Sequence, residues 1–397
     1  MKKLAYASCL GVIGILTTEF GVIGILPQIA VHYHISINRA GLLLSAFAFV
    51  VAIAGPFMSL LASGYDRKKV MLTSLSLFLI TGVVSAVSPP FWLLVAVRVL
   101  PALLHSVYYA AAIAAVIRIA PKKDQHKMMA IALSGISIAT VSTIPLATYL
   151  ASVFTWQYSF VLQALISALA LISIYAVMPP MPVTGKVTFG HQLGILRKPS
   201  VWLSLMMTFF MFSAEFALYS YFADYMVQIK AMSPQGISYL MFLFGVTGLL
   251  GTWIAGKTLS KHVAWSNIAF LAGCNILVPL GLYFTGHTSL ATTAWVALWG
   301  ILYAPGFLIA TSSISAAAHE ALEFANGLTA SFANFGITAG TMIGGWVIVH
   351  QGIGQIPWVA ISFGVIAILL VFVRSIWEGR QKTGEEPSSI PSPIVVH

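Results

Sequence analysis

Apolar residues run along this chain in twelve long blocks, at 4–30, 40–61, 70–87, 91–119, 128–151, 158–178, 201–227, 236–255, 264–284, 291–317, 325–349 and 356–372. Most are close to or above the ~20 residues with which a helix crosses the hydrocarbon of a bilayer. They are too long for the alternating strands of a barrel, so the pattern predicts an all-α integral membrane protein of twelve transmembrane helices. The longest polar connection, PPMPVTGKVTFGHQLGILRKPS at 179–200, divides the blocks six plus six. The predicted organisation is a six-helix bundle at 1–178, a cytoplasmic linker at 179–200, a second six-helix bundle at 201–376 and a disordered tail at 377–397. Charges return past Arg374, and the chain closes on GEEPSSIPSPIVVH.

Composition agrees and excludes a soluble fold. Hydrophobic residues make up 59% of the chain and charged residues 8%, against about 25% charged in an ordinary globular domain. The net charge of +10 lacks the basic-aromatic surface that nucleic acid needs, and its placement explains it better. All 20 Lys and Arg residues except Arg39, Lys230 and Arg98 fall on the N-terminal side of the predicted membrane. Basic loops stay cytoplasmic, so both termini are expected there, in a multi-pass protein of the cell inner membrane. Met1-Lys2-Lys3 imitates a secretory signal, but the apolar run behind it is too long and no small-residue cleavage site closes it. It reads as a retained first span. Cys9 and Cys274 lie inside apolar blocks and are expected to pack rather than to form a disulfide.

The first block holds one charge, Glu19, about 22 Å along a helix from the start of the block at ~1.5 Å per residue. A carboxylate at that depth costs roughly 3 kcal/mol or more and usually faces a polar interior. Arg98, in LLVAVRVLPALLHSVYYAAAIAAV, enters the fourth block to a similar depth from the other side. His105 follows seven residues later, two turns on along the same face of a continuous helix. Two readings stay open: a proton-responsive line of Glu19, Arg98 and His105, or a fixed Arg98–Glu19 ion pair holding two helices together.

The second half repeats part of this: Thr18-Glu19-Phe20 in the first block is echoed by Ala214-Glu215-Phe216 in the seventh. Parallel repeats of this kind place substrate and ion sites between the halves. Glu215 has no intramembrane base in its own half, so it is expected neutral or water-exposed, as a proton carrier, a contact for a cationic substrate or an acid bonded to a neighbouring helix. Asp224 is expected near the outer interface and solvated. Tyr108, Tyr109, Tyr219, Trp299, Tyr303 and Asn334 are candidates for a mainly apolar or amphipathic substrate cavity. Asp66, Arg67, Lys68 and Lys69 are either a topogenic loop or a latch for the cytoplasmic gate.

Small residues recur at close-packing spacing, Gly245, Gly248 and Gly251 in the eighth block and Gly336, Gly340 and Gly344 in the eleventh. Pro145 and Pro305 are expected to kink their helices. GTWIAGKT, 251–258, satisfies the P-loop pattern but ends an apolar helix with no strand before it, so no nucleotide site is expected. His319-Glu320 opens an HExxH-like string whose last position is Glu323, so no zinc site follows. No cofactor is expected, and a membrane-embedded enzyme would need a nucleophile with a base or a metal cluster, neither of which is apparent.

Four stretches carry a resemblance: TTEFGVIGILPQIA at 17–30, RVLPALLHSVYYA at 98–110, SGISIATVSTIPLATYLASVFTWQYSF at 134–160 and SFANFGITAGTMIGGWVI at 331–348. They are similar to the first, fourth, fifth and eleventh helices of the major facilitator superfamily, drug:proton antiporter branch, which includes bacterial arabinose-efflux and chloramphenicol-resistance-type exporters. Ala62, Thr143 and Ala147 stand where that branch usually has glycine, and Gln157 where Arg is common. The resemblance implies a monomeric secondary transporter that exports a small organic solute or drug in exchange for protons. Glu19, Arg98 and His105 would couple the proton, and Glu215 with the aromatic residues would line the substrate cavity. A uniporter or importer of sugars, nucleobases or amino-acid derivatives is the alternative; an enzyme or receptor is further off.

Overall fold

A computed structural model describes residues 2–62, 64–121, 124–182, 192–258, 263–286, 289–318 and 322–384. The tail 385–397, most of the central linker and His319-Glu320 lie outside them. Twelve helical spans among the described residues are long and apolar enough to cross a membrane: Lys2–His32, Ile37–Met58, Arg67–Ala86, Phe91–Ile119, Lys127–Val153, Gln157–Val177, Pro199–Gln228, Pro234–Ala255, Asn267–Phe284, Ser289–Ala317, Phe324–Gln351 and Ile353–Trp377. They are numbered 1 to 12 below. The last helix continues to Gly384, into the stretch expected to be disordered from 377. Glu378, Arg380, Gln381 and Lys382 are good helix formers, which carries the helix on as far as Gly384.

The spans form two six-helix bundles that share one apolar core at the end remote from the termini. There Ile25, Leu43 and Ile144 of the first bundle pack into the same cluster as Phe216, Phe222 and Phe244 of the second. Thr338 Oγ1 donates to Ser45 O at 3.3 Å, Thr148 Oγ1 to Met241 Sδ at 3.3 Å, and the Phe49 and Phe335 rings lie 6.3 Å apart. At the terminal end the cores separate. Leu4, Phe78 and Val116 belong to a cluster made by the first bundle alone, and Val201, Ile314 and Ala325 to one made by the second. The bundles are thus sealed at one end and parted at the other.

The glycines of the two stripes sit at close helix contacts, one of which lies in that seal. A Cβ on Gly245 would strike the backbone of Thr140 and Val141 in span 5, one on Gly251 the Ile301 carbonyl of span 10, and one on Gly340 the Ser213 carbonyl of span 7. The expected close packing therefore lies between the bundles at Gly245 and within the second bundle at Gly251 and Gly340. The P-loop-like string 251–258 sits inside the helix Pro234–Thr258.

Two spans widen into π-helix, Ala139–Thr143 in span 5 and Gly273–Leu277 in span 9. Each widening stops one residue short of a proline, Pro145 and Pro279. A proline ring clashes with the carbonyl four residues back and offers it no hydrogen, and a wider turn relieves both. Cys9 and Cys274 are buried free thiols.

Overfilling the two glycine contacts separates their roles. Gly340→Val is expected to cost about 1–3 kcal/mol and to lower Tm. Gly245→Val is expected to loosen the sealed end, read as faster maleimide labelling of a cysteine placed at Thr148. Unchanged Tm in the first and unchanged labelling in the second would contradict this packing.

Candidate functional site

Spans 1, 4, 7 and 10 are each interrupted, 4 and 10 near the middle and 1 and 7 about two thirds of the way along. Span 1 is helical over Lys2–Phe20 and again over Leu26–His32; span 4 over Phe91–Ala102 and His105–Ile119. Span 7 is helical over Pro199–Tyr219 and Phe222–Gln228, and span 10 over Ser289–Tyr303 and Gly306–Ala317. The same two positions of each bundle break, so the repeat hinted at by the two Glu-Phe pairs is a repeat of architecture. The equivalent rings of Phe20 and Phe216 meet across the bundles at 5.6 Å.

A broken helix leaves carbonyls without partners at its end. In span 1 the bare carbonyls fall at Glu19's own turn. Arg98 Nη2 donates to Thr18 O at 2.9 Å, and its Nε to Leu43 O at 3.3 Å. Its guanidinium lies over the Phe160 ring, 5.6 Å from the centroid. Ser159 Oγ donates to Gly21 O at 3.4 Å. Arg98 is 1% exposed, and its charge faces the negative end of the helix Lys2–Phe20.

This corrects the expected Arg98–Glu19 ion pair. The chain between Arg98 and His105 is not one helix, and Arg98 is bonded to backbone carbonyls rather than to the carboxylate. Glu19, 3% exposed, instead meets His105, whose Nε2 stands 3.0 Å from its Oε2. His105 opens the second half of span 4, wedged against Phe47 (ring centroids 6.0 Å) and Tyr109 (5.1 Å). Three buried polar atoms around the pair have no protein partner: His105 Nδ1, Arg98 Nη1 and the Tyr109 hydroxyl. Such atoms are normally satisfied by water. A carboxylate bonded to an imidazole with room for water beside it can pass a proton without leaving an isolated charge behind.

Glu215 is 4% exposed and has no hydrogen-bond or ion-pair partner among the described residues. It points at the first residue of the second half of span 10, where Gly306 stands: a Cβ there would lie 2.9 Å from Oε1. Beside it is a continuous cluster of rings. Tyr219 contacts Phe216 at 5.7 Å, Phe244 at 5.2 Å, Trp299 at 5.9 Å and Tyr303 at 5.3 Å. Tyr219, Trp299 and Tyr303 are therefore brought together. Trp299 is buried behind the partly exposed Tyr303.

The remaining candidates separate. Tyr108 is fully buried against Gly11, its hydroxyl donating to Ser8 O at 3.3 Å. It packs the core of the first bundle. Asn334 is buried, with Nδ2 on Ala330 O at 3.0 Å and Oδ1 unpartnered. Asp224 is 5% exposed rather than solvated, because Gln228 donates to its Oδ1 at 2.8 Å and folds over it.

The 66–69 loop is held by backbone contacts. Asp66 caps the helix Arg67–Ala86 through Lys69 N at 3.1 Å and accepts from Met181 N at 2.6 Å. Arg67 N donates to Met181 O at 3.2 Å, and Lys68 Nζ to Tyr175 O at 2.9 Å. These contacts tie span 3 to the exit of span 6 and the first residues of the linker.

Phe20, Phe216, Phe244 and Gly306 were not sequence candidates. The first two were marked by their place after each acid, and Gly306 by the Pro305 before it; nothing distinguished Phe244. A cluster at the terminal end was also missed: Arg374 of span 12 donates to Ser204 Oγ at 2.6 Å and to Ser313 O at 3.0 Å, binding spans 7, 10 and 12.

Residues 8–322 match a family model described as Major Facilitator Superfamily. The inner membrane transport protein YdhP of Escherichia coli O157:H7 is 27% identical over 371 residues, covering 93% of this chain and 95% of that protein. A protein of Mannheimia succiniciproducens named as a probable sugar efflux transporter is 27% identical over 364 residues, 90% of this chain and 91% of its own. Among solved structures, a bacterial homologue of the human lysosomal transporter Spinster, inward-facing and occupied, superposes with a TM-score of 0.73 at 15% identity, covering 94% of this chain and 96% of that one. The nucleoside transporter NupG also reaches 0.73, at 13% identity, over 94% of this chain and 98% of its own. At such identities these two likenesses speak for the fold alone.

Replacing Arg98 by Leu would strip the Thr18 carbonyl of its donor inside the bundle, at about 1–3 kcal/mol for the buried group left bare. Arg98→Leu is expected to lower Tm clearly more than His105→Gln, which keeps a polar group beside Glu19. Equal losses would contradict the capping role.

Proposed function

The chain belongs to the Major Facilitator Superfamily, and we propose that it is a proton-coupled exporter of a small organic solute or drug. The bundles 1–178 and 201–376 rock about the sealed end, exposing a central site to each side of the membrane in turn. The observation that carries this reading is the buried Glu19–His105 contact at the meeting of two helix breaks. A proton held there is shared between carboxylate and imidazole. Arg98 positions the pair by holding the helix end that presents Glu19. Because breaks are the places where spans 1 and 4 bend most easily, the protonation state and the tilt of the bundles are coupled through the same few residues.

Substrate would enter the parted end and lie against Tyr303 and Tyr219, with Trp299 behind, Glu215 and Asn334 to either side and Tyr109 across the cleft. With the termini in the cytoplasm, as the distribution of Lys and Arg supports, the parted end faces inwards. A cytoplasmic (inner) membrane protein acting as a monomer fits this, since twelve helices are enough for one pathway. The relative named for sugar efflux supports outward movement. No step requires a cofactor.

A thermal-shift screen of purified protein against drugs, sugars, nucleosides and amino-acid derivatives would supply a transported probe. In proteoliposomes, an imposed pH gradient is expected to drive that probe against its own gradient. Glu19→Gln is expected to abolish pH-driven transport while leaving binding measurable. Full proton-driven transport by that variant, or none by the wild type, would overturn the proposal.

A further inference from the structure

Both bundles present an acid from their first span to the first residue of the second half of their fourth span. In the first bundle that residue is His105 and the acid is paired. In the second it is Gly306, and the acid is not. At that position the second bundle offers its acid no side-chain donor, and the carboxylate closes directly on the glycine, 2.9 Å from where a Cβ would stand. We infer that Glu215, with the rings of Tyr219, Tyr303 and Phe216, forms a subsite for a protonated organic amine, whose ammonium group gives Glu215 the donor that His105 gives Glu19 in the first bundle.

The inference rests on the transporter reading and deepens it. Three features select this ligand chemistry. First, a buried carboxylate without a donor is costly, and a cationic ligand supplies both the donor and the opposite charge. Second, the surrounding groups are aromatic faces, which attract an ammonium through their quadrupoles. Tyr219 and Tyr303 stand 5.3 Å apart, and Phe216 lies 5.7 and 6.4 Å from them. Third, the shell is poor in polar groups. A sugar would need several side-chain amides, acids or hydroxyls converging on it, whereas here one carboxylate and two phenols face a wall of rings. The helix Gly306–Ala317 supplies no charge balance: its first residue carries no side chain, so the carboxylate is left to a ligand approaching from the ring cluster.

The test compares phenethylammonium with its neutral isostere phenethyl alcohol and with arabinose, by calorimetry on the purified full-length protein in nanodiscs. The wild type is expected to bind the cation about tenfold or more tightly than the alcohol, and arabinose more weakly still. Glu215→Gln should remove that preference. Gly306→His should do the same by pairing Glu215 internally; its Cβ displaces only the mobile end of the carboxylate. Equal binding of cation and alcohol, tighter binding of arabinose, no binding of the cation, or a preference that survives Glu215→Gln would each overturn the inference. The wild-type comparison needs no variant to fold. Binding is read without a pH gradient, so this subsite can fail while proton-driven transport stands, and the reverse.

Discussion

The contact between Glu19 and His105 is the constraint on which the rest of the structure turns. An acid in the middle of an apolar helix is tolerated only if something takes up its charge or its proton. The chain solves this by breaking two helices and joining them at the break. His105 reaches Glu19 because it starts a new helix segment rather than continuing the one that carries Arg98. Arg98 in turn is freed to hold the carbonyl of Thr18, the residue before the acid. Side chain, helix end and hinge are thus one unit.

The same economy governs the other basic groups. With 8% of residues charged, few stand free in or near the spans. Lys68 donates to the last turn of span 6 and Lys230 to the end of span 9, at Leu282 O, 2.6 Å away. Cations at helix C-termini satisfy bare carbonyls and oppose the helix dipole. Burial pushes the Lys230 ammonium below its usual range, a cost that its carbonyl partners offset. Against this background Glu215 stands apart, because the second bundle repeats the breaks of the first without repeating the partner. One scaffold used twice carries a paired acid on one side of the cleft and an unpaired one on the other.

The architecture was largely legible from the residue pattern: twelve apolar blocks, six plus six, and stripes of glycine that prove to be close contacts. The helix breaks were not. Leu103 and Leu104, where span 4 opens, are ordinary apolar residues in a run that reads as continuous, and Pro101 is the single cue nearby. Treating that run as one helix set Arg98 and His105 on one face and drew Arg98 to Glu19. Tyr108 and Tyr109 were both candidates, and helix phase after a break, which cannot be counted from residues before it, sets Tyr109 against His105 and Tyr108 in the core. The contacts of the loop around Asp66 were not legible either: its partners are backbone groups at Met181 and Tyr175, which leave no trace in side-chain pattern. The seal at one end of the bundles is a tertiary outcome of Gly245, Ser45 and Thr338 meeting across long sequence separations.

If proton occupancy of Glu19 and His105 governs the sealed end, the separation of the bundles there must depend on pH. Spin labels at Arg39→Cys and His350→Cys, both exposed at that end and on opposite bundles, report it directly by pulsed dipolar spectroscopy. The expected result is a distance distribution that shifts between mildly acidic and mildly alkaline buffer in the otherwise native chain and is unresponsive once Glu19→Gln is added. A distribution that ignores pH in the native background, or that still responds in the Glu19→Gln background, would contradict the coupling of this contact to the motion of the bundles.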